Sequence, residues 1–261
     1  MYHPKGPFLT SNRLERLEFA WNTIKDTSKQ SNSVSTKDAF KRASANDNVK
    51  RQLTTFTMYG RTALISNIIT KARSRVKGFF GFKGDKVKDD IEWLLKDSKF
   101  MYGGVNVEKR EYNNQEPFGC DLIVDIIEAQ WFSTTSRSNA DAETSAKIAA
   151  EKDLPLTIII LAVTVIEHAI KEWNNGRKAT PLAFTEDIAK QSYNHHLGNW
   201  NILAEKSPKW TSFWRQKLLK RILTNQEDVY GDSSNGSDLA GVDFGQLDAL
   251  ATAEMGEQEA S

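Results

Sequence analysis

The longest apolar stretch of the sequence, residues 154–166, constrains the fold more than any other feature. It is thirteen residues long and contains Pro155, whereas a membrane-spanning helix needs about 20 consecutive apolar residues. Such a stretch fits the interior of a globular domain. The missing N–H of Pro155 costs little in a first turn, and Asn174-Asn175-Gly176 is a typical left-handed helix stop. We therefore predict a central buried helix from Leu154 to Trp173.

The other apolar residues recur mostly three and four positions apart, which is the spacing of one face of a helix. No segment alternates with a period of two, and no hairpin dipeptide joins two β-branched runs. The predicted fold class is all-α, with a single irregular multi-helix domain built round the central buried helix. Helices are predicted over residues 12–24, 49–76, 87–100, 122–131, 142–152, 185–203 and 208–222.

Local residue types predict where several helices begin and end. Asn12 has a glutamate three residues later, as in a capping box, and Thr185 is expected to cap the helix that follows it. The glycines of residues 78–84 are expected to stop the long second helix. Residues 103–115 open with two glycines and are predicted to form a polar loop. Residues 29–48 are polar and are interpreted as a linker with room for a short helix.

The overall charge of +1 conceals an uneven distribution. Residues 226–261 contain nine Asp or Glu and no Lys or Arg, so the rest of the chain has 35 bases, 25 acids and a net charge of +10. A basic body with an acidic end indicates either masking of the body by its own tail or separate partners for each. We divide the chain into an N-terminal helix and polar linker (1–48), a helical core domain (49–225) and an acidic disordered tail (226–261).

Basic residues are concentrated around the end of the second predicted helix, where they are interleaved with Phe79, Phe80 and Phe82. Positive charge among aromatic rings suits the phosphates and bases of nucleic acid, and it also suits an acidic membrane surface. The alternative is a solvated helix end with core phenylalanines. The candidate nucleic-acid-binding residues are Lys71, Arg73, Arg75, Lys77, Lys83, Lys86 and Lys88.

The acidic tail alternates acids with apolar residues, a composition typical of disordered segments that fold in the groove of a partner. On a helix its apolar residues would form a partial stripe, which Gly241 and Gly245 weaken. Three alternatives stay open for this tail: it makes the protein soluble, it masks the basic body, or it docks on a partner. The candidate partner-binding residues are Leu239, Val242, Phe244, Leu247 and Leu250.

Landmark residues occur in a distinctive order between Phe100 and Leu203. They are Phe100-Met101-Tyr102, Pro117-Phe118, Ile127, Trp131-Phe132, Leu154-Pro155, Leu161-Ala162, Thr164, Glu172, Gly176, Phe184, Tyr193 and His196-Leu197. In this order the chain resembles an uncharacterised family of basidiomycete fungi that carries a domain of unknown function, over roughly residues 50–222. The resemblance implies a helical domain and a fungal cell. It implies no activity, cofactor or catalytic residue, because the family has none assigned.

Ionisable residues on the central helix supply the competing hypothesis, an enzyme of unknown reaction. Glu167 and His168 would meet Tyr193 and His196 if the helix from Thr185 packs antiparallel to the central helix. The sequence contains no H-x-x-x-H, H-E-x-x-H or C-x-x-C pattern, so we predict no metal site and no cofactor. The identity of any catalytic residue stays unknown at the level of sequence.

The single cysteine, Cys120, cannot form an internal disulfide. The first residues lack the charged and then apolar pattern of a secretory signal. We therefore expect an intracellular protein, in the nucleus or the cytoplasm, with no membrane span. A position near a helix N-terminus would lower the pKa of the Cys120 thiol and favour a nucleophile, whereas burial in apolar surroundings would leave it inert.

The function that these patterns favour is that of a helical interaction module. Its basic body would engage nucleic acid or an acidic protein surface, and its tail would dock a protein partner or regulate the body. The two classes of function differ in what they require of the surface. An enzyme requires a concave pocket with converging polar groups, whereas an interaction module requires a continuous basic or apolar surface.

Overall fold

The structure is a computed structural model that describes residues 34–132, 142–176 and 182–230, together with residues 18, 21–22 and 24–26. Helices dominate these residues, so the predicted all-α fold class is confirmed. Two short 3₁₀ segments, Gly84–Lys86 and Lys96–Met101, flank the third helix. The helices are α1 (Val34–Ser44), α2 (Asp47–Phe80), α3 (Val87–Leu95), α4 (Asp121–Trp131), α5 (Ala142–Ala149), α6 (Leu156–Lys171), α7 (Glu186–Lys206) and α8 (Pro208–Tyr230).

The predicted central helix is α6, two residues shorter at each end than expected from the sequence. Every side chain from Ile158 to Ile166 is buried, because α2, α4 and α7 pack around this helix. Burial of each large aliphatic side chain contributes about 1.5–3 kcal/mol. The hydroxyl of Thr164 donates to the carbonyl of Ile160 at 2.7 Å, so the polar group in this stretch does not stay unpaired.

Helix α2 ends at the second of the three glycines in residues 78–84, where the sequence predicted a stop. Gly78 is helical, and the left-handed residue is Gly81, with a φ of 70°. The N–H groups of Gly81 and Phe82 both donate to the carbonyl of Lys77, which closes the helix end. The extension has a physical reason: Phe80 and Phe82 are buried in the core, and the extra turn brings them there.

A small β-hairpin stands where the sequence predicted a polar loop. Strand β1 (Gly103–Asn106) pairs antiparallel with β2 (Glu111–Asn113), with an irregular register between the two paired positions. These strands are too short to show a two-residue alternation, which is why the sequence did not reveal them.

The chain then turns through Gly119, where an added Cβ would lie 2.8 Å from the carbonyl oxygen of Glu116 and 3.0 Å from the ring of Trp214.

Helices lie next to both predicted boundaries of the core domain. The interval interpreted as a linker with room for a short helix contains α1, and Trp21 stacks on Phe40 of that helix at 5.2 Å between ring centroids. At the other end, α8 continues to Tyr230, so the first five residues of the predicted tail are helical. Residues 231–261 and the predicted cap at Asn12 lie outside the described residues. No described helix has both the length and the apolarity needed to cross a membrane.

The two glycines Gly78 and Gly119 provide a paired test of this fold. We expect Gly119→Ala to lower the free energy of unfolding by about 1–3 kcal/mol, because its Cβ would overlap Glu116 and Trp214. Gly78→Ala should raise that free energy by about 0.5–1 kcal/mol, because Gly78 is helical and open space surrounds its Cβ position. Urea unfolding followed by circular dichroism measures both, and destabilisation by Gly78→Ala would contradict the extended α2.

Candidate functional site

A groove of about 490 Å³ runs along one side of α7. Five of its residues lie on that helix, and all but the adjacent pair Ile202-Leu203 follow one another at three or four positions, so they share one face that extends for about 16 Å from His195 to Lys206. The opposite side is formed by the 3₁₀ segment Lys96–Met101 and by the chain that follows β2. The lining residues are Asp97, Ser98, Met101, Tyr102, Asn114, Pro117, Phe118, His195, Asn199, Ile202, Leu203 and Lys206.

The apolar lining of the groove includes side chains that the core holds in place. Phe118 and Met101 are almost completely buried. The ring of Phe118 packs edge-on against Trp200 with 5.0 Å between centroids, and the indole Nε1 of Trp214 donates to the Phe118 carbonyl at 3.4 Å. Ile202 is 53% exposed, so the groove also offers an accessible aliphatic side chain. Such a surface suits an apolar group of a ligand.

Backbone strain is concentrated at this groove. Among the described residues, four that are not glycine have a positive φ, and three of them, Asp97 (58°), Ser98 (54°) and Phe118 (59°), line the groove. The left-handed region disfavours residues with a side chain, and for a bulky residue such as phenylalanine it is a true outlier. Strain of this kind is often found at ligand-binding and active sites, where surrounding packing maintains it.

The charges of the groove are unequal. The carboxylate of Asp97 lies 3.0 Å from the ammonium of Lys99, which also donates to the carbonyl of Lys96. The ammonium of Lys206 has no acidic side chain within ion-pair distance in the described part of the chain. Burial, followed by Tyr112 and Asp97, raises the pKa of the Tyr102 phenol, which therefore stays neutral. The groove thus combines the unpaired ammonium of Lys206 with the Asp97 carboxylate, which Lys99 pairs, and with neutral polar groups.

Directly behind the groove, α6 and α7 are joined through the carboxylate of Glu167. His196 is fully buried, and its Nε2 lies 2.9 Å from Glu167 Oε2. The ammonium of Lys171 lies 2.7 Å from Oε1, and the Ser192 hydroxyl donates to Oε2. Burial alone would raise the pKa of Glu167, but the hydrogen bonds from His196, Lys171 and Ser192 outweigh it and hold this pKa at about 2.

This arrangement differs from that of a nucleophilic triad. A carboxylate only accepts hydrogen bonds, so Nε2 of His196 donates, and its Nδ1 is buried without a hydrogen-bond partner in the described part of the structure. Ser192 and His196 both bond to the same oxygen of Glu167, whereas a triad places the imidazole between the hydroxyl and the carboxylate. The array therefore fastens α6 to α7 and does not activate the serine.

The other two residues of the enzyme hypothesis are His168 and Tyr193. His168 faces a second network, where its Nε2 lies 3.1 Å from the carbonyl of Leu182 and its ring packs against Phe184. Burial is the largest cause that lowers the pKa of His168. Tyr193 is buried, which raises its pKa to about 12. Of the four candidate residues, Glu167 and His196 are in direct contact.

Several of the candidate nucleic-acid-binding residues contact the protein itself. Arg73 bonds through Nε to Glu172 at 2.8 Å and also donates to the Leu182 carbonyl. Lys71 donates to Gln130 at 2.9 Å, and burial, followed by the charge of Arg75, lowers its pKa. These contacts tie α2 to α4 and α6 and reduce the charge available to a ligand.

The remaining candidates are more exposed. Arg75 reaches back to the Lys71 carbonyl, Lys77 lies 5.7 Å from the ring centroid of Trp173, and Lys88 lies 4.0 Å from Glu92. Lys83 and Lys86 are exposed on the 3₁₀ turn and make no ion pair with another described residue. Phe79 is partly exposed beside them, while Phe80 and Phe82 are in the core. Nucleic-acid binding by this surface stays a prediction.

Cys120 is in the core, at the residue before α4. Burial raises the pKa of its thiol to about 12, which supports the inert interpretation over the nucleophilic one. Among the residues with described side chains, no three His, Cys, Asp or Glu come close enough together to bind a metal ion. The candidate tail residues from Leu239 to Leu250 lie outside the part of the chain that the structure describes.

The fold and the groove define an all-α domain with a strained, partly apolar binding surface on its third-longest helix. The family described as "Domain of unknown function (DUF6532)" matches residues 10–203, most of the chain, so the chain belongs to that family. The match includes both sides of the groove as far as Leu203 and confirms the predicted likeness to an uncharacterised domain family. No curated protein and no solved structure matches the chain.

The Glu167 array makes stability depend on pH in a defined direction. A carboxyl whose folded pKa is about 2 and whose unfolded pKa is about 4.5 stabilises the fold above pH 4.5, and this contribution is lost as the pH falls towards 2. We expect Glu167→Gln to lower stability at pH 6 and to flatten the decline of unfolding free energy between pH 5 and pH 3. Urea unfolding at several pH values measures this slope.

Glu92 supplies the control for that experiment because its pair with Lys88 is on the surface. Surface ion pairs contribute little to stability, so Glu92→Gln should keep the slope of the unmodified protein. Equal slopes for Glu167→Gln and the unmodified protein would show that the carboxyl of Glu167 is not held in its charged form by the array.

Proposed function

We propose that this domain is an interaction module that binds a short peptide segment, with apolar and acidic side chains, in the groove between α7 and the 3₁₀ segment Lys96–Met101. The observation that carries the proposal is the concentration of left-handed, non-glycine residues at Asp97, Ser98 and Phe118. The structure maintains this costly backbone at a surface that also combines an apolar wall with a lysine that pairs with no described acid.

The dimensions and the polar groups of the groove support a peptide as its ligand. An extended chain advances about 3.3 Å per residue, so the face of about 16 Å along α7 accommodates about five residues. The side chains of Ser98, Asn114 and Asn199 offer donors and acceptors to a peptide backbone. Phe118 and Ile202 would contact an apolar side chain, and the ammonium of Lys206 would attract an acidic one.

The observations support this function more than the one suggested by the basic segment. Nucleic acid requires several free cations on one surface, yet Lys71 and Arg73 bond to groups of the protein's own core. Binding to nucleic acid through Lys83 and Lys86 stays a second prediction, as do the fungal origin and the intracellular location. We propose no catalytic step, because the imidazole of His196 faces a carboxylate and not a nucleophile.

Anilinonaphthalenesulfonate tests the groove directly, because this probe combines apolar rings with one negative charge and fluoresces when it leaves water. We expect Ile202→Asp to raise its Kd at least tenfold, since the variant removes apolar contact and adds a repelling charge; tenfold corresponds to about 1.4 kcal/mol. Ile188→Asp is the matched control on the same helix, because Ile188 is 50% exposed and lies outside the groove. This control should leave the Kd unchanged.

A second pair of variants tests the charge requirement. Lys206→Glu should weaken probe binding, and the difference from the unmodified protein should shrink at high salt. Lys83→Glu makes the same charge change in the basic segment and should have little effect. Circular dichroism verifies that each variant is folded. Equal loss of binding in Ile202→Asp and Ile188→Asp, or no loss in either, would overturn the proposed function.

A further inference from the structure

We infer that the occupant of the groove is the chain's own acidic segment from Val242 to Leu247, so that the domain regulates its own binding surface. This inference rests on the proposed function of the groove and goes one step beyond it. A binding surface that the same chain covers would be available to other partners only after the segment is displaced. The segment lies outside the described residues; its sequence, its reach and the chemistry of the groove support this position.

The chemistry of the segment matches that of the groove. Its sequence is Val-Asp-Phe-Gly-Gln-Leu, in which one acid stands directly between two apolar side chains. The groove offers the complementary groups side by side: the positive charge of Lys206 lies one helical turn from the apolar side chain of Ile202 on α7. Asp243 placed beside Lys206 would direct Phe244 towards Phe118 and Ile202. A buried aromatic side chain of this kind supplies much of the affinity of short peptides.

The connection is long enough for this contact. Helix α8 begins at Pro208, two residues after Lys206, and its 23 residues carry Tyr230 about 33 Å from the end of the groove. Residues 231–243 span up to about 43 Å when extended. Asp243 is therefore among the first acids of the tail that can return to Lys206. The intervening residues 231–237 consist of Gly, Ser, Asn and one Asp, a composition typical of linkers.

Charge also favours this return. The tail has nine acids and no base, and the rest of the chain has a net charge of +10. Attachment to the same chain gives the segment an effective concentration on the order of 1 mM near the groove. Even a weak contact would then be formed for much of the time. The basic residues Lys83 and Lys86 offer a competing destination for the same acids, so the experiment must distinguish the two.

Engineered cysteines in the full chain locate the segment. Under mild oxidation, Asn199→Cys combined with Gln246→Cys should form an intramolecular disulfide, because such a bond requires Cα atoms within about 7 Å and both substitutions leave Lys206, Asp243 and Phe244 in place. Lys83→Cys combined with Gln246→Cys is the control pair and should stay reduced over the same time. Cys120 does not interfere, because it is buried in the core. Each disulfide is detected by gel electrophoresis, as a difference in the mobility of the monomer with and without a reducing agent.

The same probe measures the consequence for binding. Phe244→Ser with Leu247→Ser should lower the Kd of anilinonaphthalenesulfonate about tenfold relative to the unmodified chain, because the groove would no longer be covered. Glu254→Gln with Glu257→Gln is the control, since these acids lie beyond the segment. Adding Ile202→Asp to the Phe244 and Leu247 variant should abolish the gain.

The outcomes separate this inference from the proposed function. The self-binding segment is overturned if the disulfide forms in the Lys83→Cys pair, or if neither cysteine pair forms one. It is also overturned if the Phe244 and Leu247 variant leaves the Kd of the probe unchanged. If Ile202→Asp still weakens probe binding in that case, the groove keeps its proposed function with another occupant. If Ile202→Asp changes probe binding neither in the unmodified chain nor in the Phe244 and Leu247 variant, both the self-binding segment and the proposed function of the groove are wrong.

Discussion

The burial of α6 on all sides is the constraint on which the rest of the structure depends. Every side chain from Ile158 to Ile166 is buried, so other helices must surround this one, and α2, α4 and α7 do so. The last turns of α6 carry Glu167 and His168 into the same interface, and Glu172 follows directly after the helix. Those groups need partners because a buried ionised side chain without one is strongly unfavourable. Glu167 finds its partners on α6 and α7, and Glu172 finds Arg73 on α2.

Because α6 is buried, some ionisable residues hold the helices together, and others stay available to bind a ligand. The array around Glu167 and the contact of Arg73 with Glu172 fasten α6 to its neighbours, so the residues that most resemble catalytic groups have structural partners. With its inner face packed on α6, α7 presents its outer face to the groove, where Lys206 is not paired with a described acid. The proposed function therefore uses the side of α7 that the core does not use.

Sequence patterns revealed the parts of the fold that depend on local residue types. The apolar run identified α6, and Thr185 caps α7 as expected, with its side chain accepting from the N–H of Ile188 at 3.4 Å. The groove depends on contacts between distant residues, which no local pattern records. The left-handed backbone of Phe118 is maintained by Trp200 and Trp214, about 80 and 96 residues further along the chain. Only the spacing of His195, Asn199, Ile202 and Lys206 was visible in advance, and alone it resembles any solvated helix face.

The central claim is that the outer face of α7, and not the basic segment, is the binding surface. Backbone amide chemical shifts recorded during a titration with anilinonaphthalenesulfonate test it most directly, because they map the contact residue by residue. The account predicts that the largest changes occur at His195, Asn199 and Ile202 and across the groove in Lys96–Met101. Changes confined to residues 83–88, or spread evenly over the domain, would contradict it.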